Sequence, residues 1–261
     1  MKTSRAVLTE GSVGRHLVYM TVPMIFGIAT IMLQTFVDMW FVSKIGDMPL
    51  AALSFAFPVI MVVTSLAIGL GAGTSSVIAR AIGANDYELA RRLSTDGLIL
   101  SFLLTVLISI FGYCYTDILF IALGAPSELI LIISGYMNIL YFAVPFLVVG
   151  MVGTTAMRAT GDTRLSGMLM IGGSLLNVIL DPILIFGFGP IPSLGLLGAA
   201  WAALIARTFI FIFVIYFMKT ESNLLSFKIP DRFQILNSWK KILHVGIPAA
   251  GTNAIIPVVT G

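Results

Sequence analysis

Charge is what this sequence has least of. Of its 261 residues only 10% are charged and 58% are hydrophobic, with a mean hydropathy of +1.04. An ordinary soluble domain is about 25% charged and about 45–50% apolar. Such a chain cannot coat a water-facing surface, which excludes a soluble enzyme, a nucleic-acid-binding module and a disordered segment. Cysteine is almost missing too. Cys114 stands alone, so neither an intrachain disulfide nor a CxxC metal site can form. No stretch alternates polar and apolar residues over the roughly 10 positions that a membrane barrel strand needs. No nucleophile–base pair or metal-ligand cluster is apparent, and no enzyme is expected.

Long apolar runs are there instead. A helix needs about 20 apolar residues to cross a bilayer. Six runs qualify: Leu17–Phe41, Leu50–Ile78, Leu98–Tyr115, Leu129–Met157, Leu165–Phe186 and Leu196–Met218. A seventh begins near Ile242 and is still running at Gly261. The expected fold class is all-α and polytopic. The 25 glycines and 11 prolines scattered through these runs suit that class. The first run is too long, and carries an acid, to be a cleaved signal whose apolar part is about 7–15 residues.

The loops set the orientation. Lys2, Arg5 and Arg15 precede the first run, and Arg80, Arg91 and Arg92 lie between the second and third. Arg158 and Arg164 follow the fourth, and Lys219, Lys228, Arg232, Lys240 and Lys241 follow the sixth. Of the 15 basic residues only Lys44 falls on the other side, with Arg207 inside a span. By the positive-inside rule the basic face and the N-terminus are cytoplasmic. The net charge of +3 therefore reports topology rather than a nucleic-acid partner.

Acids inside a membrane are costly and usually line a cavity or a relay. Asp38 lies in the first span, six residues before Lys44, and Asp181 lies in the fifth, six residues before Gly187. Both spans run outward, so the carboxylates are expected at the same depth in the outer half. Asn177 precedes Asp181 by four residues and shares its helical face. Tyr136 of the fourth span falls at a similar level. Pro182 removes the donor that would bond the Val178 carbonyl. This oxygen-rich cluster suits a hard cation, so Na⁺ at Asp38, Asn177 and Asp181 is one expectation. Two neighbouring carboxylates can equally hold a proton between them. The residues leave both ions open, and a helix-packing role for the acids stands beside them.

Other features have plainer readings. Pro23 frees the carbonyl of Tyr19 and makes the first helix bent or bendable there, as a static kink or as a hinge. Arg207 is read either as an interior residue paired with a carboxylate or as one that snorkels to the surface. Gly69, Gly71 and Gly73 form a small-residue face for close helix packing. Gly187-Phe188-Gly189 reads as a turn, and His16 and His244 as interfacial residues.

A weak repeat is present. Aligning Arg15 with Lys240 superposes Pro23 on Pro248, and Ala29, Ile31 and Thr35 find identities. Parallel six-helix repeats are a transporter plan. On this reading residues 1–218 form a first six-helix lobe, 219–241 a cytoplasmic linker and 242–261 the start of a second lobe. The partner of Asp38 would fall just past Gly261, so the chain is expected to be cut within the seventh helix.

Several separated motifs resemble the multidrug and toxic compound extrusion (MATE) family. They are Leu8-Thr9-Glu10-Gly11-Ser12, Val37-Asp38, Ala79-Arg80-Ala81-Ile82-Gly83-Ala84, Arg158-Ala159-Thr160-Gly161-Asp162-Thr163-Arg164 and the stretch from Asn177 to Pro182. The chain looks closest to the DinF-like branch, in which helices one and five both carry acids. The resemblance implies twelve helices in two lobes and an antiporter that moves drug-like compounds out as H⁺ or Na⁺ moves in. No other cofactor is implied. Asp38, Asn177 and Asp181 match the family's coupling site, Tyr136 fits it less closely, and Pro23 matches a helix-one proline associated with bending. Some relatives carry a hydroxyl early in helix six, where this chain has Ala199, Ala200, Ala202 and Ala203. The implied setting is a prokaryotic inner membrane, with a second lobe needed for transport. A lipid-linked oligosaccharide flippase and a non-transporting membrane subunit are the alternatives.

Overall fold

The computed structural model describes residues 13–226 and 232–260, and seven helices account for nearly all of them. These are α1 (Val13–Ser43), α2 (Asp47–Gly83), α3 (Tyr87–Ala122), α4 (Ser127–Ala159), α5 (Thr163–Phe186), α6 (Leu196–Thr220) and α7 (Arg232–Thr260). Six of them, α1 to α6, are long and apolar enough to cross a membrane. The all-α polytopic expectation holds. Lys2, Arg5, Lys228 and the motif from Leu8 to Ser12 lie outside the described residues.

Several helices extend well beyond the apolar runs that announced them. At 37 residues α2 is about 55 Å long, far more than a bilayer core requires. The helix α3 adds eleven residues, Tyr87 to Gly97, ahead of Leu98, and bends at Tyr115 (φ −117°, ψ 17°). Local chemistry fixes two of the starts. Asp86 accepts the Leu89 N–H at 2.9 Å and Asp162 accepts the Leu165 N–H at 3.2 Å, so each caps the helix that follows. Between α4 and α5, Gly161 turns the chain at φ +89°, where a side chain would be strained.

The one marked departure is α7. It begins at Arg232, inside the stretch 219–241 read as linker and ten residues before the apolar run at Ile242. Its polar first turns are helical because they dock on α3. Arg92 Nη1 donates to Gln234 Oε1 at 2.9 Å, and Trp239 Nε1 donates to the Asp96 carbonyl at 3.0 Å. The Ser226 N–H reaches Thr95 Oγ1 at 2.9 Å and ties the preceding loop to the same helix.

Two apolar cores stack along α4. One, towards the basic ends, gathers Ile78, Val148, Val152, Met157, Met218 and Ile242. The other, at the far end, gathers Val42, Ala56, Phe120, Ile133, Leu140 and Ala200. The glycine face of α2 divides as close packing requires. A Cβ on Gly69 would sit 2.5 Å from the Gly246 carbonyl oxygen of α7, and one on Gly71 would meet Thr155 of α4 at 3.1 Å. Helix α1 is held mainly against α5, closest where Gly167 lies under Pro23; a Cβ there would be 2.8 Å from the Pro23 carbonyl. Much of α1 remains open, with Phe26, Met32, Leu33, Phe36 and Trp40 exposed.

Candidate functional site

The residues singled out for depth come together. Asp38 of α1 and Asp181 of α5 have carboxyl groups within hydrogen-bonding reach of each other. Asp181 is 1% exposed and Asn177, one turn earlier on the same face, is 2% exposed. Asp38 is half-buried and faces them from α1. A contact between two carboxyls is a hydrogen bond only when one carries a proton. Asp181 Oδ2 meets no N–H or hydroxyl donor among the described residues, which leaves that oxygen for a proton or an ion.

Amides frame the pair. Gln34, one turn before Asp38, donates from Nε2 to Asp38 Oδ2 at 3.4 Å and to Asn177 Oδ1 at 2.6 Å. With the Asn177 amide turned over, Nδ2 would instead donate to Asp38 Oδ1 at 3.3 Å and Oδ1 would accept from the Ala203 N–H at 3.2 Å, an arrangement that requires the Gln34 amide to turn as well and present its oxygen. Gln34 was missed by sequence reasoning, although its i, i+4 spacing to Asp38 was a usable signal.

Helix α6 contributes charge. The Ala203 N–H of α6 faces Asn177, in a stretch of alanines that carries no hydroxyl. Arg207, one turn on and on the same face, interacts electrostatically with Asp38 and with Tyr136. It is interior, beside Met137, Tyr141 and Val144 of α4. Tyr136 is buried and feels Arg207, Asp38 and Asp181 together. Arg207 is half-buried against α4, which fits the inward reading in position, and it forms no ion pair with a carboxylate among the described residues. Pro23 lies fifteen residues before Asp38 on α1, away from the carboxyls and against α5.

The site is thus two acids, two amides, a phenol and a guanidinium between α1, α4, α5 and α6. The family model MatE matches residues 23–183, which include both acids and Pro23. The chain belongs to the MATE family. It is 38% identical over 251 residues to the FAD transporter of Shewanella oneidensis, spanning 96% of this chain and 56% of that protein. It is 28% identical to the multidrug export protein MepA of Staphylococcus aureus, over 95% of this chain and 55% of MepA. Among solved structures, it superposes with a TM-score of 0.86 and 34% identity on the outward-facing conformation of a multidrug resistance MATE family transporter of the MOP superfamily. That match covers 97% of this chain and 55% of that one. A MOP superfamily transporter from Pyrococcus furiosus gives a TM-score of 0.85 at 34% identity over the same shares. The chain spans about half the length of the MATE relatives it matches. MATE family members are membrane transporters rather than enzymes, and the helices here fit that class.

Proposed function

We propose that this chain forms the coupling lobe of a secondary-active exporter that moves a drug-like or other organic compound outward in exchange for a proton. The observation that carries the reading is the carboxyl pair joining α1 to α5. With one proton between them, Asp38 and Asp181 bond the two helices. Without it, two like charges face each other in a low-dielectric interior. Helix α1 is the element able to respond, because it packs mainly on α5 and carries a proline where that packing is tightest. Protonation thus biases the bundle towards one of two arrangements, by as much as the proton's affinity differs between them.

Arg207 favours the proton over Na⁺. A guanidinium already within electrostatic reach of Asp38 balances part of the acids' charge and repels a second fixed cation. The basic ends of the helices face the cytoplasm in this reading, in a prokaryotic plasma membrane, and transport uses a second lobe opposite the first.

The test is efflux of a cationic dye from vesicles holding the intact protein under an imposed pH gradient. Asp38→Asn with Asp181→Asn should abolish exchange while the protein still inserts. Wild-type efflux from that double variant would sink the proposal. A second substrate class is supported by the 38% identity to a protein named as an FAD transporter. The same vesicles, loaded with flavin dinucleotide instead of dye, separate the two.

A further inference from the structure

A second site lies apart from the carboxyl pair, at the basic ends of α2, α3 and α7. The three helices enclose a cavity of about 510 Å³. Its origin is geometric. Gly69 and Gly73 let α7 touch the backbone of α2 at Ile242 and Gly246. Past that crossing side chains return and the helices part, with Val77 and Arg80 on one wall and Lys240 and His244 on the other.

The lining is cationic where it opens and apolar where it closes. Arg80, Lys240 and Lys241 bring three positive charges and His244 adds a ring N–H donor. Lys240 and Lys241 lie three and four residues after Asn237, and His244 four and three residues after them, so the four share one side of α7. The guanidinium of Arg80 is held in place by its own helix, with Nε on the Ser76 carbonyl at 3.2 Å and Nη2 on Ser76 Oγ at 3.0 Å. Against these stands one carboxylate, Asp86, and its Oδ1 is already engaged by the Leu89 N–H. Neither lysine forms an ion pair among the described residues. Deeper in, Val77, Ala81 and Leu93 supply an apolar wall leading to the α2–α7 crossing.

Lys240 and Lys241 immediately precede the apolar run of α7, and Arg80 lies three residues from the end of α2. The cationic rim therefore sits where a bilayer's hydrocarbon gives way to its head groups. We infer that this cavity is a binding site for the phosphate head group of an anionic phospholipid, with an acyl chain lying along the apolar wall. Basic pockets between transmembrane helices at this level are suited to such head groups, and each lysine or arginine contributes to holding them. The inference does not depend on the coupling ion or on the cargo.

The experiment is native mass spectrometry of the intact protein released from mixed micelles of phosphatidylglycerol and phosphatidylcholine. Wild type should retain phosphatidylglycerol several-fold over phosphatidylcholine. The double variant Lys240→Ala with Lys241→Ala should lose most of that preference and retain the two lipids about equally. Asp86→Asn keeps the capping oxygen, removes the opposing charge and should strengthen retention. Two variants moving in opposite directions cannot both be products of misfolding. Inorganic pyrophosphate, added at millimolar concentration as a probe for phosphate without chains, should displace little of the lipid. Equal retention by wild type and the lysine double variant would overturn the inference, as would equal retention of the two lipids. Complete displacement by pyrophosphate would overturn it as well, by making the cavity a site for soluble phosphate esters.

Discussion

Asp181 and Asp96 are each 1% exposed, yet the bundle treats the two buried acids differently. Asp181 looks across to a second carboxyl, with amides on its flanks and a guanidinium within electrostatic reach of its partner. Asp96 sits on α3 against the first turns of α7, with the Ser238 hydroxyl and the charge of Arg92 close by, although its Oδ2, like that of Asp181, meets no donor among the described residues. Its backbone carbonyl also takes the Trp239 N–H. The first arrangement joins α1, the least buried of the six spans, to α5. The second fastens α7 to the packed body formed by α2, α3 and α4. A buried acid is thus no sign of a coupling site on its own. What distinguishes the two is the neighbour: Asp181 faces a second carboxyl with which it can share a proton, whereas Asp96 faces a hydroxyl and the charge of a guanidinium.

The largest effect should separate them directly. Asp181→Asn removes the exchangeable proton and is expected to cut gradient-driven efflux by at least about tenfold. Asp96→Asn keeps the size and most hydrogen-bonding capacity of the side chain and should leave efflux within about twofold, its effect appearing as a modest change in melting temperature. Equal losses of efflux in vesicles would erase the distinction between the two acids.

Next in size is the consequence of the resident guanidinium. Arg207→Gln keeps a polar side chain on a shorter stem while removing the charge near Asp38. Efflux driven by a Na⁺ gradient, expected to be absent in the wild type, should then become measurable because a second cation no longer meets that charge. If the variant stays indifferent to Na⁺ and keeps its response to the pH gradient, Arg207 has no part in choosing the ion.

How much of this was legible beforehand depends on what each residue had to reveal. The six spans were readable because apolar runs of sufficient length have few other uses, and the depth of Asp38 and Asp181 followed from counting residues to each helix end. Their proximity could be expected but not their partners. Gln34 is a neutral side chain one turn from Asp38, and nothing in its own neighbourhood demanded that it face Asn177. Arg207 had two readings because a mid-span arginine reaches either inward or towards the surface with the same stem, and only the packing of α6 on α4 and α5 selects one. The start of α7 was hidden for the opposite reason. Its first ten residues are polar and carry no run to notice, and their helix depends on contacts with Arg92, Thr95 and Asp96 that lie far away in sequence.

The body to which α7 is fastened can be probed by its glycines. A Cβ on Gly73 would run into the Ile242 carbonyl of α7, and backbone cannot swing aside as a side chain can. Gly73→Val should therefore cost about 1–3 kcal/mol and lower the melting temperature in detergent. Gly83, at the end of the same helix, has nothing within 4 Å of where a Cβ would be. Gly83→Ala should be neutral or stabilise by up to about 1 kcal/mol, since glycine is the poorer helix former. A Gly73 variant as stable as wild type would mean that α7 is not seated on α2 as described.

The smallest effect concerns one of the bonds that link α3 to α7. Trp239→Phe retains an aromatic ring in the half-buried position and deletes only the N–H that reaches the Asp96 carbonyl at 3.0 Å. That carbonyl lies inside α3 and keeps its acceptor role within the helix, so no oxygen is left stranded. The cost should be about 1 kcal/mol, the net worth of one hydrogen bond. Hydrogen exchange in the first turns of α7 should quicken while α1 and α5 remain unchanged. Should exchange quicken instead around Asp38 and Asp181, the two acidic sites are coupled through the bundle, and the fixed site would have to be counted as part of the moving one.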